Sequence, residues 1–143
     1  MLERGNNMSN IAKKENILYE LHESLFIGYT LKNNDLILRV AINCAVTDLD
    51  PACEYGEKYF LYDIVCHQCN IIENTCDIYP DLVLQDILSF IIYEGNYLFA
   101  INPHGWEPAQ ITFNCESIEW IPIKEFNGYD VYFIEKTKYI NFD

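Results

Sequence analysis

Two stretches near the N-terminus alternate apolar and polar residues. The turn-prone segment Lys32–Asp35, rich in Asn and Asp, separates them. An alternation with a period of two is typical of a β-strand with one buried face. We therefore predict a β-hairpin, whose buried positions are Leu25, Ile27, Tyr29 and Leu31 in the first strand and Leu36, Leu38, Val40, Ile42, Cys44 and Val46 in the second.

The remainder of the chain predicts further short strands. Residues 59–72 are apolar on both faces, as in a central strand, and Glu94–Asn96 is a turn signal between two apolar runs. Residues 81–88 form either a short helix or the start of a strand. The last predicted strands are 111–115, 118–123 (ended by Pro122), 129–134 and 139–142. The predicted fold is mainly β: an antiparallel sheet or meander of seven or eight short strands, a half-open barrel or sandwich, with at most one or two short helices.

The chain predicts a single domain. Residues 1–8 resemble a flexible tail, and Ser9 is a candidate N-cap for a short helix that ends near Tyr19. Residues 9–143 are long enough to bury a core without disulfides. The first residues contain no apolar signal segment, and no apolar run is long enough to span a bilayer. We therefore expect a cytoplasmic protein with reduced cysteines.

Negative charge is concentrated in the middle of the chain. The net charge is −13, and Val40–Ile123 contains thirteen carboxylates but only one basic residue, Lys58. From Tyr59 to Ile123 there is no Lys or Arg. Such a charge repels nucleic acid phosphates and anionic lipids. It favours a basic protein partner, or alternatively serves solubility alone.

Two predicted loops combine carboxylates with aromatic residues. Tyrosine and tryptophan are enriched at protein interfaces, and carboxylates accelerate association with basic partners. The alternative for each loop is an ordinary solvated connection. The candidate partner-binding residues are Asp48, Asp50, Glu54, Tyr55, Glu57 and Tyr59 in the first loop and His104, Trp106 and Glu107 in the second.

The six cysteines raise a metal alternative. Cys66 and Cys69 have the Cys-x-x-Cys spacing that zinc sites use, and Cys76 follows seven residues later. The pair lies in an apolar strand pattern instead of a Gly-bearing turn, and neighbours three apart on a regular strand point to opposite faces. We therefore predict no metal or other cofactor, with these three residues as the fallback ligands.

No catalytic motif accompanies these features. The chain has no nucleophile elbow, no phosphate-binding Gly-rich loop and no dinucleotide fingerprint. A Cys–His pair or an acid pair such as Glu116 and Glu119 would suit a small hydrolase, but no spacing selects one. We therefore expect that the protein is not an enzyme.

A short N-terminal region resembles a known group of proteins. Leu21–Ile27 has the sequence Leu-His-Glu-Ser-Leu-Phe-Ile, and Asp35–Val40 follows after an Asn-Asn-Asp turn. Over about residues 17–43 this resembles the opening of small β-rich bacterial proteins, several of which are immunity proteins of polymorphic or contact-dependent toxin systems. The resemblance implies a cytoplasmic, non-enzymatic protein that binds and blocks one toxin domain.

The sequence thus supports one main hypothesis and two alternatives. The main hypothesis is an acidic protein that neutralises a basic partner, in particular an immunity protein against a bacterial nuclease toxin. A nuclease must be basic to hold its substrate, so a blocker with the opposite charge suits it. The alternatives are a small-ligand or metal-binding β domain that uses the Cys66–Cys76 region, and an uncatalogued small hydrolase.

Overall fold

Eight antiparallel strands form one unclosed sheet. The computed structural model describes residues 21, 23–44, 54, 56–76, 85–102 and 108–133. The sheet order is β4-β7-β6-β5-β1-β2-β3-β8, and a 3-10 helix, Gly128–Phe133, follows β8. This confirms the predicted fold class. The strands are β1 Leu25–Lys32, β2 Asp35–Asn43, β3 Lys58–His67, β4 Asn70–Asn74, β5 Gln85–Tyr93, β6 Asn96–Asn102, β7 Ala109–Asn114 and β8 Ser117–Asn127.

Two tight hairpins confirm the predicted turns. Asn33 and Asn34 have φ angles of 54° and 69° between β1 and β2. Glu94 and Gly95 have φ angles of 51° and 83° between β5 and β6. Two-residue turns with positive φ at both positions match the right-handed twist of the flanking strands. Asn and Gly adopt this conformation more readily than other residues, which suits Asn33, Asn34 and Gly95 to these turns, whereas Glu94 adopts it at an energetic cost.

Two connections, each two residues long, join strands at opposite edges of the sheet. Gln68 and Cys69 connect β3 to β4, and Cys115 and Glu116 connect β7 to β8. The β3–β8 ladder ends at His67↔Ser117 and the β4–β7 ladder begins at Asn70↔Asn114, which lie three residues later on the β3–β4 side and three residues earlier on the β7–β8 side. The two ladders therefore share one register, and counting on in this register sets Cys69 opposite Cys115. We call this crossing, residues 68–69 and 115–116, the seam.

The main core lies between two halves of the sheet, β4-β7-β6-β5 and β1-β2-β3-β8. Inward-facing apolar residues of both halves form one buried cluster. Phe99 of β6 connects the halves: its ring centroid lies 5.3 Å from that of Phe26 on β1 and 5.7 Å from that of Phe90 on β5. Among the described residues, the β1–β5 ladder consists of Leu25↔Asp86 and Phe26↔Gln85, and beside it the Ile87 amide donates to the Ser24 carbonyl at 3.0 Å. Side-chain packing therefore contributes more than this short ladder to holding the halves together.

A second apolar cluster covers the opposite face of the β1-β2-β3-β8 half. It includes Ala41, Tyr59 and Leu61, and Val131 of the 3-10 helix closes it. The alternation along β1 places Leu25 and Ile27 in this cluster and Phe26 in the main core. A bulge between Phe26 and Gly28 shifts the alternation, so Tyr29 packs against the main core on the same side as Phe26. The first part of β1 is therefore buried on both faces, whereas the sequence predicted one buried face, and Leu31, predicted to be buried, is 55% exposed.

Three predicted elements differ from the observed ones. The single strand expected over 59–72 is divided into β3 and β4 by Gln68, which has a φ of 51°. β8 continues beyond Pro122 to Asn127, with a bulge opposite Leu61 and Tyr62. Proline is tolerated there because β8 lies at the edge of the sheet order, where one side of the strand needs no ladder donor. The strand expected over 129–134 is wrong, since Gly128–Phe133 is a 3-10 helix.

Several predictions lie outside the described residues, namely the tail over 1–8, the helix from Ser9, most of the two predicted loops and the strand over 139–142. Within the described part of the chain, no helix has the length and apolar character needed to cross a membrane.

Candidate functional site

The two predicted acidic–aromatic loops begin and end at the same end of the sheet. Their described flanking residues are Asn43 and Lys58 for the first loop, and Asn102 and Ala109 for the second. The register connects these positions: Asn43 pairs with Tyr59, Leu25 with Ala41 and Asp86, Asp86 with Asn102, and Ile101 with Ala109. We call this end, defined by the four flanking residues, the loop end. The opposite end, with both tight turns and the seam, is the turn end.

Three of the predicted partner-binding residues are described. Glu54 and Glu57 are exposed, and the Glu54 amide donates to Glu57 Oε1 at 2.8 Å. Tyr59 is 2% exposed and packs in the second cluster, so its side chain is not available at the surface. Asp48, Asp50, Tyr55, His104, Trp106 and Glu107 lie outside the described residues.

The 3-10 helix adds surface groups to the loop end. The Gly128 amide donates to the Glu57 carbonyl at 2.6 Å, which brings the helix beside the first loop. Asp130 is exposed, and Phe133 is exposed over 81% of its surface. Neither residue was predicted as a binding residue, because the segment was expected to be a strand.

A shallow pocket of about 400 Å³ lies between β3 and β8, and its β3 residues follow shortly after Lys58. Its bottom and walls come from the bulged part of the ladder, and Ile123 at its rim is exposed over 40% of its surface. The lining residues are Phe60, Leu61, Tyr62, Pro122, Ile123, Lys124 and Glu125.

At the turn end, His67 lies between two carboxylates. Its Nε2 is 2.9 Å from Glu119 Oε1, and its Nδ1 is 3.2 Å from Asp35 Oδ2. The hydrogen bond to Glu119 is the largest cause that raises the pKa of His67 above its ordinary value, and Asp35 adds to it. Asp35 also accepts the Gln68 amide at 3.0 Å, which fixes the turn after β3.

Three free cysteines, Cys66, Cys69 and Cys115, lie in the neighbourhood of this histidine. Cys66 is fully buried, whereas Cys69 and Cys115 in the seam are partly exposed. Interaction with the Cys115 thiol and burial raise the pKa of Cys66, and the same interaction lowers the pKa of Cys115. Burial raises the pKa of Cys69 to about 11.

The predicted fallback metal ligands do not gather. Cys76 lies beyond the far end of β4, whose five residues span roughly 15 Å, whereas Cys69 precedes the strand. Cys115 takes its place beside Cys66 and Cys69. Across the described ranges, no group of three or more His, Cys, Asp or Glu side chains has the arrangement of a metal site.

The cysteines differ in their covalent state. Cys66, Cys69, Cys76 and Cys115 are free, but Cys44 is disulfide-bonded. The expectation that all cysteines are reduced is therefore wrong for Cys44.

No pattern in the sequence predicts the group around His67 at the turn end. Asp35, Cys115 and Glu119 come from three distant parts of the chain. The sequence does show that Cys69 comes just before one strand and Cys115 just after another. It does not show that these two strands pair with each other, so it does not predict that the two cysteines lie close together.

Comparison with protein-family models, with curated proteins and with solved structures returns no match to this chain.

Proposed function

We propose that this protein is an acidic binding protein that neutralises a basic protein partner, as an immunity protein that blocks a bacterial nuclease toxin. The observation that carries the proposal is the loop end. The two segments with the strongest acidic–aromatic character, on either side of Glu54 and of Trp106, begin and end at this one end of the sheet. The strand ends that flank the two segments come from distant parts of the sequence and lie at this one end.

The charge of the folded chain supports a basic partner. Strands β4 to β7 all lie within Tyr59–Ile123, so this half of the sheet contains no Lys or Arg. It presents the exposed carboxylates Glu73, Asp86 and Glu94. A field of one sign extends about one Debye length, roughly 8 Å at physiological salt, and steers an oppositely charged partner toward the surface.

The basic side chains of the loop end are already engaged. Lys58 Nζ lies 3.7 Å from Glu125 Oε2, and Lys124 Nζ lies 5.1 Å above the ring of Phe126. Glu54 and Asp130 are exposed beside them. Because Glu125 partly offsets its charge, Lys58 repels a cationic partner less than a free lysine would.

A stable interface needs apolar contacts as well as opposite charges, and exposed apolar side chains are present in this region. Electrostatic attraction mainly sets the association rate, whereas well-packed aromatic and aliphatic contacts set the lifetime of a complex. Phe133 and the Ile123 rim of the pocket offer such contacts next to the acidic groups. A cationic side chain with a long apolar stem, such as Arg, fits this combination.

The test begins with capture of the partner. The tagged full-length chain is incubated at low ionic strength with the product of the neighbouring upstream gene, and bound protein is eluted with salt. We expect one basic protein whose nuclease activity on plasmid DNA or RNA falls to zero at a stoichiometric amount of this chain. If the neighbouring product does not bind, or binds and keeps its activity, the proposal is wrong.

A matched pair of variants then locates the surface. Glu54→Lys with Asp130→Lys reverses two charges at the loop end, and Glu94→Lys with Glu116→Lys reverses two at the turn end. Both change the net charge equally. We expect the loop-end variant to associate at least about tenfold more slowly at low salt, and the turn-end variant to stay within about threefold of the parent. Equal slowing by both variants would mean that only overall charge matters, and the loop end would not be the interface.

A further inference from the structure

The first predicted loop has a covalent bond at its start. Cys44 follows the last residue of β2, is 1% exposed, and is disulfide-bonded. The chain has six cysteines, and four of the others are free, namely Cys66, Cys69, Cys76 and Cys115. The remaining cysteine is Cys53, which lies outside the described residues. The composition thus leaves Cys53 as the partner of Cys44 within this chain.

The contacts of Cys44 agree with this pairing. Its Sγ lies 3.1 Å from the carbonyl oxygen of Glu54, the residue that follows Cys53 in the chain. A disulfide needs Cα atoms about 4.4–6.8 Å apart, and the contact at Glu54 brings the neighbouring position within reach of one side chain. The start of β3 pairs with the end of β2, next to Cys44, whereas Cys66 lies near the other end of β3, roughly 20 Å away.

Hydrogen bonds hold the last part of this loop independently of the disulfide. Asn43 Oδ1 accepts the Gly56 amide at 3.2 Å, and the Glu57 amide donates to the Glu54 carbonyl at 3.0 Å. The disulfide precedes these contacts in the chain, so it constrains the residues between its two cysteines, 45–52. The sheet and the turn at 54–57 therefore keep their own contacts when the disulfide is reduced.

We propose that Cys44 and Cys53 form a reversible disulfide that closes residues 45–52 into a ring. The ring carries Asp48 and Asp50, and its closure restricts these carboxylates to the loop end for the basic partner. A loop that is ordered before binding loses less conformational entropy in the complex, so the closed ring binds more tightly than the open loop. The bond itself rests on the contacts of Cys44, whereas its effect on binding rests on the function proposed above.

The bond forms by two thiol–disulfide exchanges with a low-molecular-weight disulfide such as oxidised glutathione. The Cys53 thiolate attacks one sulfur of the small disulfide; a mixed S–S bond forms, the small S–S bond breaks, and one small thiolate leaves. The Cys44 thiolate then attacks the Cys53 sulfur, and the second small thiolate leaves. The two protein thiols lose two electrons to the small disulfide, and their two protons end on the two small thiols. An added thiol reverses both steps.

Peptide mapping tests the pairing directly. The full-length chain is treated with oxidised glutathione under native conditions, denatured, alkylated with N-ethylmaleimide and digested with trypsin. Because Arg39 and Lys58 are consecutive cleavage sites, residues 40–58 form one peptide with both cysteines, and residues 59–124 contain the other four. We expect peptide 40–58 to be unmodified and two hydrogens lighter than the dithiol. Maleimide or glutathione on peptide 40–58, or its linkage to 59–124, would overturn the proposal.

Hydrogen exchange tests what the bond does to the loop, without any partner. We expect the amides of residues 45–52 to exchange at least about tenfold more slowly in the oxidised chain than after reduction with a phosphine. The amides of β2 and β3 should be unchanged. Cys53→Ser should exchange like the reduced parent in both conditions, whereas Cys69→Ser, at a free cysteine, should respond to reduction as the parent does. Equal exchange of residues 45–52 in the oxidised and reduced parent would contradict the proposed ring.

Partner binding separates this inference from the proposed function. We expect the product of the neighbouring gene to bind the reduced chain about tenfold more weakly than the oxidised chain, and Cys53→Ser to bind as weakly in both conditions. Equal affinity for the oxidised and reduced parent would show that the ring does not serve binding. If the product binds neither form, the proposed function is wrong, and peptide mapping and hydrogen exchange still decide on the ring.

Discussion

His67 Nε2 lies 2.9 Å from Glu119 Oε1, where β3 and β8 approach the seam. The two residues are 52 positions apart, and the β3–β8 ladder places them two pairs from each other. Asp35, at the start of β2, contacts the other ring nitrogen. Three strands thus converge on one imidazole, and its protonation is coupled to the pairing of all three.

The first prediction concerns the pH dependence of stability. Because the folded pKa of His67 is raised, the protonated imidazole stabilises the fold fully below about pH 6.5, and this contribution is lost as pH rises through the folded pKa. NMR titration should give His67 a pKa above 6.5. Glu119→Gln should lower that pKa, whereas Glu116→Gln, an exposed neighbour, should not. If both variants titrate as the parent does, Glu119 is not the cause.

The second prediction concerns the ion pair between β2 and β3. Arg39 and Asp63 are cross-strand partners with two short contacts, 2.7 and 2.9 Å, and their side chains are 12% and 15% exposed. Asp63→Asn should lower the free energy of unfolding by about 2 kcal/mol, because a mostly buried guanidinium loses its partner. Urea denaturation measures this.

A matched control for this pair is available in the same sheet. Lys58 and Glu125 are 3.7 Å apart and more exposed, so Glu125→Gln should cost less than about 0.5 kcal/mol. The double variant Arg39→Met with Asp63→Leu should recover much of the loss seen in Asp63→Asn. Equal effects of Asp63→Asn and Glu125→Gln would contradict the assigned role of burial.

The third prediction concerns the contact between the two halves. Phe99 is fully buried and its ring packs on Phe26 and Phe90. Phe99→Ala should lower the free energy of unfolding by about 3–5 kcal/mol through lost burial and a residual cavity. Leu88→Ala, at a position on β5 that is 44% exposed, should change it by less than about 0.5 kcal/mol. Similar losses in urea denaturation would mean that Phe99 does not join the halves.

Local features of the sequence predicted much of the fold. The Asn-Asn and Glu-Gly turns and the alternation along β2 depend on neighbours in sequence, and the structure confirms them. The division of residues 59–72 into two strands could not be predicted, because a run that is apolar on both faces has the same pattern whether it forms one strand or two. The turn at Gln68 is stabilised by Asp35, 33 positions away, so no local signal revealed it.

The candidate sites show the same division between local and tertiary information. The acidic composition of the first loop predicts that Glu54 and Glu57 are exposed, and both are exposed in the structure. The burial of Tyr59 could not be predicted from the sequence, because it depends on Phe126 and Val131, which cover that face of the sheet. The group around His67 depends entirely on which strands pair.

The continuous register through the seam has a consequence for folding. The connections at 68–69 and 115–116 have equal lengths, so β7 cannot slip by one residue against β4 unless β8 slips equally against β3. A one-residue slip exchanges the faces of a strand, and here it would expose core residues in both halves at once. Intermediates with one half correctly paired and the other shifted are therefore strongly disfavoured. The two halves should therefore form their native pairings together, and the large sequence separation of partners such as Lys58 and Asn127 predicts that this step is slow.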